Sequence, residues 1–168
     1  MVIKLMELTR GKPMEQAIMS TLYVTGVRIR ELVTIKLVDI DWEVRSILIC
    51  EGKGMKDRMV LFTAQCSERL QAYLATHEGP YLFSLEGRYN HVSMDWVREK
   101  FQGYSQALKV NRPITPHTIR HTLASELVQK GMPLECIQEL FGHEDIRTTQ
   151  WYAQLNTTAK KKQFEYYQ

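Results

Sequence analysis

The chemistry open to this sequence centres on a tyrosine near its C-terminal end. Tyr152 stands nine residues after His143. A phenol with a pKa of about 10 is a poor nucleophile at neutral pH, and it becomes effective when cations and hydrogen-bond donors surround the phosphate that it attacks. The chain contains several residues of the types that could do this: Arg28, Lys53, His117, Arg120 and His143. Together these residue types fit the transfer of a phosphodiester to a tyrosine.

Arg120 is the residue whose position most clearly calls for an anion. On a helix that begins after Thr115, at about 100° per residue, Arg120 falls within an apolar stripe. The stripe consists of Ile119, Leu123, Ala124, Leu127 and Val128. Burial of an unpaired charge costs several kcal/mol, so this guanidinium needs a partner. The partner could be the phosphate of a ligand, or a carboxylate of the chain such as Glu31 or Asp39.

His117 lies three residues before Arg120, near the start of the same helix. Residues three apart on a helix lie on neighbouring parts of its surface. Helix N-termini also present backbone N–H groups that bind anions. The pair is therefore suited to form half of a phosphate site, although the spacing is also common by chance.

Lys53 lies between two glycines, Gly52 and Gly54, in a segment that separates two apolar runs. Glycine allows unusual backbone angles, so a lysine there could move onto a ligand and off again. A lysine ammonium carries its proton at pH 7 and could protonate a departing alkoxide. An ordinary charged turn would have the same composition, and Lys56 is the alternative general acid.

The apolar spacing and the capping residues predict the elements that position these side chains. Helices are predicted over 13–24, 28–36, 65–76, 93–109, 134–141 and 158–167. Another helix is predicted from Pro116, behind an N-cap at Thr115, to a stop at Gly131, and a further one capped by Asp145 would carry Tyr152. Residues 46–51 and 58–62 form a predicted β-hairpin, with a short strand near 38–42. The fold class is α+β, mainly helical, with helices around a small antiparallel sheet of two or three strands.

The bulk properties indicate one globular domain over residues 1–168. The sequence is 44% hydrophobic and 24% charged, and its net charge of +3 permits nucleic-acid binding without requiring it. No apolar run approaches the roughly 20 residues of a membrane span, and no signal peptide is evident. Three widely spaced cysteines argue against a disulfide framework or a zinc site and favour a reducing cytoplasm.

Five stretches resemble, in order, the motifs of the tyrosine recombinases, the phage-integrase and Xer-type family. They are Thr25-Gly-Val-Arg-Ile-Arg-Glu-Leu32, Gly52-Lys-Gly-Met-Lys-Asp-Arg58, Pro116-His-Thr-Ile-Arg-His-Thr-Leu-Ala-Ser125, Leu140-Phe-Gly-His143 and Thr148-Thr-Gln-Trp-Tyr152. Any one of these motifs is weak evidence, but five in order are specific. The resemblance covers residues 13–155, nearly the whole chain.

The resemblance implies a role for each candidate residue. The implied catalytic set is Arg28, Lys53, His117, Arg120, His143 and Tyr152. Glu31 and His121 would orient the arginines, and Arg30, Lys56 and Arg58 would contact DNA. Tyr152 would attack a backbone phosphate, leaving a 3′-phosphotyrosyl link and a free 5′-hydroxyl. The family needs no metal or other cofactor for this step.

The resemblance also implies the partners and the setting. Double-stranded DNA would be the substrate, bound by a tetramer, and the protein without DNA would be a monomer or weak oligomer with no membrane partner. It would be a bacterial, archaeal or phage-encoded protein of the cytoplasm, associated with the nucleoid when active. By this resemblance, residues 1–168 would be the catalytic domain, without the N-terminal core-binding domain that the family normally has. The C-terminal helix would pack on a neighbouring subunit or on its own core.

Three other functions are compatible with parts of the pattern. A type IB topoisomerase uses the same tyrosine chemistry to relax supercoiled DNA. A catalytically idle DNA-binding module could keep the fold without the reaction. A helix-turn-helix regulator built from residues 115–141 would leave the buried arginine and the lysine loop unexplained.

Overall fold

The computed structural model describes residues 2–50 and 57–142. Its helices are α1 (Val2–Leu8), α2 (Pro13–Thr25), α3 (Ile29–Thr34), α4 (Ala64–Leu74), α5 (Met94–Ala107), α6 (Pro116–Gln129) and α7 (Leu134–Phe141). Its strands are β1 (Ile40–Asp41), β2 (Ser46–Ile49) and β3 (Arg58–Leu61), and a single 3-10 turn covers Leu37–Asp39. The predicted fold class is confirmed.

Helix α2 is largely buried in the core, and its C-terminal end sets the position of Gly26 and of the residues that follow it. Proline at its first position has a backbone already suited to a helix. The helix ends at Gly26, which adopts a left-handed conformation (φ 62°) and donates its N–H to the carbonyl of Leu22. On one side α2 packs against α4, and on another against α6. Its end therefore lies beside the helix that carries Arg120.

The sheet is a small antiparallel one in the order β1-β2-β3. Ile47 pairs with Val60, and both are fully buried, whereas the adjacent pair of Leu48 and Met59 is exposed. This alternation is expected for strands with one face on the core. It fixes the register that brings Arg58, at the start of β3, towards α7.

Helices α6 and α7 have the predicted boundaries. The Thr115 side chain accepts a hydrogen bond from the backbone N–H of Thr118, and Pro116 occupies the first helical position of α6. Helix α7 ends at Gly142, in a left-handed conformation (φ 58°). A separate apolar cluster, made of Leu123, Ala124, Val128, Ile137 and Phe141, holds these two helices together.

Two parts of the predicted secondary structure need correction. Helix α3 ends at Thr34 rather than near residue 36, because Ile35 is extended and its carbonyl accepts the N–H of Leu82. Helix α1 was not predicted, and it packs on α2 through the buried Leu5. The predicted helices that follow Asp145, including 158–167, lie outside the described residues. Among the helices that are described, none is long and apolar enough to cross a membrane.

Gly26→Ala is expected to destabilise the fold by about 2–4 kcal/mol. A left-handed backbone costs alanine roughly 1–2 kcal/mol, and overpacking adds a similar amount. The added Cβ would lie 2.8 Å from Cε1 of Phe141 and 3.1 Å from Cδ2 of Leu123. Urea unfolding measures the loss. Gly11→Ala is the matched control, because Gly11 has a similar φ (77°) and no atom within 4 Å of the added carbon. An equal fall in the free energy of unfolding in both variants would contradict the expected clash with Phe141 and Leu123.

Candidate functional site

Arg120 is buried, as its place on the helix predicts, with 6% of the residue exposed. Its guanidinium donates from Nη1 to the carbonyl of Gly26. It also donates from Nη2 to the carbonyl of Phe141, at 2.6 Å. The guanidinium carbon also lies 4.6 Å from the centre of the Phe141 ring. The sequence suggested a phosphate or a carboxylate as partner. The contacts found here are carbonyls at the C-terminal ends of α2 and α7, where helices carry partial negative charge.

Arg28, the other arginine of the predicted catalytic set, lies between α2 and α3. Its Nη1 is 2.9 Å from Oε1 of Glu31, and its Nη2 donates to the carbonyl of Gly142 at 3.1 Å. The backbone N–H of Arg28 also donates to Oε2 of Glu31, at 2.6 Å. The guanidinium and the backbone of Arg28 are thus both held by hydrogen bonds, while 39% of the side chain is exposed to solvent. The structure thus brings Glu31 against the arginine that it was predicted to orient.

Arg58 has an internal position that the sequence did not indicate. Its Nη1 and Nη2 donate to the two oxygens of Glu31 at 3.0 and 2.8 Å, and its Nε donates to the carbonyl of Leu140 at 3.2 Å. Only 8% of its side chain is exposed. Its predicted contact with DNA stays a prediction.

Three arginines therefore bind three consecutive carbonyls at the end of α7. Arg58 contacts Leu140, Arg120 contacts Phe141 and Arg28 contacts Gly142. The last carbonyls of a helix lack partners within the helix, and the helix dipole adds negative charge there. Gly142 allows the close approach, because a Cβ at this position would lie 3.1 Å from Cδ of Arg58. The end of α7 thus brings together guanidiniums from three separate parts of the chain.

His117 and His121 form a contact on the first turns of α6. Their Nε2 atoms lie 2.5 Å apart and their rings meet edge to face. Partial burial lowers the pKa of His117, and the charge of Arg120 lowers it further. Burial also lowers the pKa of His121, with additional contributions from His117 and Arg120. Both imidazoles are therefore mainly neutral at pH 7, and a neutral imidazole can donate one hydrogen bond while accepting another.

The remaining predicted residues lie elsewhere or outside the described part. Arg30 is exposed on α3. Lys53 and Lys56 fall in the segment 51–56 between β2 and β3, and His143 and Tyr152 fall in 143–168, so these four lie outside the described residues. In sequence, His143 directly follows Gly142 and the lysine segment comes just before Arg58. Among the described side chains, no cluster of His, Cys, Asp and Glu is arranged to hold a metal ion.

Several tyrosines of the described region are poorly suited to act as nucleophiles. A hydrogen bond to Glu126, together with burial, raises the pKa of Tyr23 to about 12. Burial raises the pKa of Tyr73. Burial, then the hydrogen bond to Glu15, raises the pKa of Tyr104. A higher pKa makes the phenolate rarer at neutral pH, so these hydroxyls are weaker candidates than a tyrosine beside cations.

The histidine pair predicts a loss of stability as the pH falls from about 6.5 to 5. An unfolded histidine has a pKa of about 6.5, and both folded values lie lower, so the unfolded chain binds more protons over this interval. Urea unfolding from pH 7.5 to 5 measures the slope of the unfolding free energy. We expect a double variant, His117→Asn with His121→Asn, to show a flatter slope. A slope identical to that of the unmodified protein would show that His117 and His121 do not cause the pH dependence.

Comparisons with known proteins identify the family of this chain. Residues 2–159 match the phage integrase family, and the chain belongs to that family. It is 34% identical over 157 residues to the tyrosine recombinase XerC of Chlamydia caviae, a match that covers 90% of this chain and 50% of that protein. It is 33% identical over 171 residues to the tyrosine recombinase XerA of Pyrococcus furiosus, covering 98% of this chain and 58% of that protein.

Solved structures show the same fold. The crystal structure of XerA recombinase matches with a TM-score of 0.85 and 29% identity, covering 99% of this chain and 62% of that one. The XerH recombinase bound to its difH substrate has a TM-score of 0.75 and 23% identity, covering 90% of this chain and 46% of that one, and supports the fold alone. The chain spans about half the length of the curated relatives it matches.

Proposed function

We propose that this chain is the catalytic domain of a tyrosine recombinase, which cleaves and rejoins DNA at specific sites through a 3′-phosphotyrosyl intermediate. The observation that carries the proposal is the convergence of Arg28 and Arg120 on adjacent carbonyls at the end of α7. These two arginines lie far apart in sequence but close in space, and the next residue along the chain is His143. Family membership and the likeness to the Xer recombinases support the same conclusion.

In the proposed reaction the phenolic oxygen of Tyr152 forms a bond to the scissile phosphorus while its proton passes to an imidazole, for which His117 and His143 are the candidates, and the bond from phosphorus to the 5′-oxygen breaks. Lys53 gives its proton to that departing oxygen. Arg28 and Arg120 bind the nonbridging oxygens, on which negative charge increases in the transition state, and His117 and His143 assist. A well-placed donor of this kind contributes about 3–4 kcal/mol.

The geometry of a guanidinium makes this arrangement chemically reasonable. An arginine has several N–H donors spread over a planar fork, so it can hold a carbonyl and a phosphate oxygen at the same time. The contacts with Gly26, Phe141 and Gly142 would orient both arginines before DNA binds. Preorganised donors of this sort need little reorganisation when the charge develops.

The proposed partner is double-stranded DNA, bound by a tetramer during strand exchange. The phosphotyrosyl bond conserves the energy of the broken phosphodiester, so a second DNA end with a free 5′-hydroxyl can attack it and restore the strand. We propose no cofactor. The solved relatives include XerH bound to difH and the Tn1549 transposon integrase bound to transposon right-end DNA, which agrees with DNA as the partner.

The test is the trapping of a covalent adduct on nicked DNA. The full gene product, with any upstream coding sequence, is mixed with a pool of nicked duplexes that share flanks around a randomised centre. A nick just 3′ of the cleaved phosphate lets the short fragment leave, so rejoining fails and the adduct accumulates. We expect a label at the 5′ end of the cut strand to stay with the protein, and a label on the released fragment to be lost.

Two other results would count against the proposal. DNA binding without any adduct from the pool would favour a catalytically idle module. Relaxation of supercoiled plasmids, equally fast whatever their sequence, would favour the type IB topoisomerase reaction, which the comparisons do not support.

A further inference from the structure

Glu31 connects two arginines that differ sharply in exposure. One of its oxygens contacts both Arg28 and Arg58, and the other contacts Arg58 and the backbone N–H of Arg28. The side chain of Arg58 is 8% exposed and that of Arg28 is 39% exposed. Nε, Nη1 and Nη2 of Arg58 all donate to groups of this chain, and less of its side chain than of Arg28 is open to an external anion.

Arg58 also fixes the end of α7, to which Arg28 is bound. The Nε of Arg58 donates to Leu140, while Arg28 donates to Gly142, two residues further along. Arg58 packs closely against Gly142, where even a methyl group would be crowded. Arg28 and Arg58 therefore bind the same two groups, the carboxylate of Glu31 and the end of α7. Displacement of either group would displace Arg28.

We infer that Arg58 is a positioning residue for Arg28 rather than a contact to DNA. Its planar fork holds both oxygens of Glu31 while its Nε holds Leu140, and this fixes the distance between the two groups that orient Arg28. A buried fork of this kind is specific to arginine, because a lysine ammonium is a single point of charge on a flexible stem. The inference rests on the proposed function only where it concerns DNA cleavage.

The first test needs no DNA. The order parameter of the Arg28 Nε–H bond is measured by ¹⁵N relaxation in the full chain and in variants. We expect a value near that of rigid backbone, about 0.85, and a fall to about 0.6 or below in Arg58→Met and in Arg58→Lys. Arg58→Lys keeps the charge beside Glu31, so it remains informative if Arg58→Met does not fold. An unchanged order parameter in a folded variant would overturn the inference.

The second test separates positioning from DNA contact. In Arg58→Lys we expect single-turnover cleavage to slow by about tenfold to a hundredfold. In folded Arg58→Met, which removes the charge, we expect the DNA affinity and its salt dependence to be unchanged. Loss of a phosphate contact would instead weaken binding and lower the salt slope by about 0.9. In the first test, Arg30→Met is the matched control for Arg58→Met. It removes an exposed charge two residues from Arg28 and should leave the order parameter of Arg28 unchanged.

These two tests can fail separately. If the unmodified protein forms no adduct, the proposed function fails, and the order parameter still decides whether Arg58 positions Arg28. If the adduct forms and Arg58→Lys cleaves at the normal rate, the inference fails and the proposed function stands. A reduced salt slope in Arg58→Met would also overturn the inference, because it would place Arg58 against DNA.

Discussion

Replacement of Tyr152 by phenylalanine is expected to abolish the covalent adduct and to leave DNA affinity nearly unchanged. The substitution removes one oxygen, which is the atom proposed to bond to phosphorus, and keeps the ring. The cations that would bind the DNA backbone are also unchanged. Adduct formation on nicked DNA and equilibrium binding, measured on the same preparation, check the two halves of this expectation.

Other tyrosines supply the controls for this variant. Tyr166→Phe changes another tyrosine close to the end of the chain, and Tyr23→Phe changes one whose pKa is raised to about 12. Both should form adduct at the normal rate, apart from any loss of folded protein when the hydrogen bond from Tyr23 to Glu126 is removed. Adduct that persists in Tyr152→Phe would assign the nucleophile to another residue.

Arg120→Lys is expected to slow cleavage by about 10²–10³-fold and to lower the free energy of unfolding by about 1–3 kcal/mol. Lysine keeps the charge but not the planar fork, so it cannot replace both donations, to Gly26 and to Phe141. A buried carbonyl left without its donor costs about 1–3 kcal/mol. Loss of one donor to the transition state accounts for the expected fall in rate. Urea unfolding and single-turnover cleavage measure the two effects.

Leu70→Ala helps to separate these two effects. Leu70 is fully buried in the main apolar core and is not part of the cluster that contains Phe141, so its truncation should weaken the fold by about 2–5 kcal/mol without touching the contacts of Arg120. At low temperature, where both variants are folded, Leu70→Ala should retain most of its cleavage rate and Arg120→Lys should remain slow. Recovery of Arg120→Lys to the normal rate whenever it is folded would show that Arg120 has only a structural role.

Local signals in the sequence are strong enough to predict most of the fold. Thr115 and Pro116 define the start of α6, and the apolar stripe on that helix correctly predicts the burial of Arg120. The apolar runs of β2 and β3 likewise predict the hairpin. The early end of α3 was missed, because it depends on pairing between Ile35 and Leu82, which are distant in sequence.

The arrangement of the site is harder to obtain from sequence. The predicted pairing of Glu31 with an arginine is local, since Arg28 lies three residues away. The contact between Arg58 and Leu140 spans 82 positions and arises only when β3 packs beside α7. A sequence shows that Arg58 is charged but not that it is buried. All three arginines bind backbone carbonyls. Because every residue has a backbone carbonyl, the residue types do not indicate which ones will be the partners.

Mass spectrometry of the trapped adduct tests the central claim most directly. After digestion with a protease and a nuclease, we expect the peptide that contains Tyr152 to carry a nucleotide through its 3′-phosphate. A nucleotide on any other residue, or one joined through its 5′-phosphate, would contradict the proposed reaction.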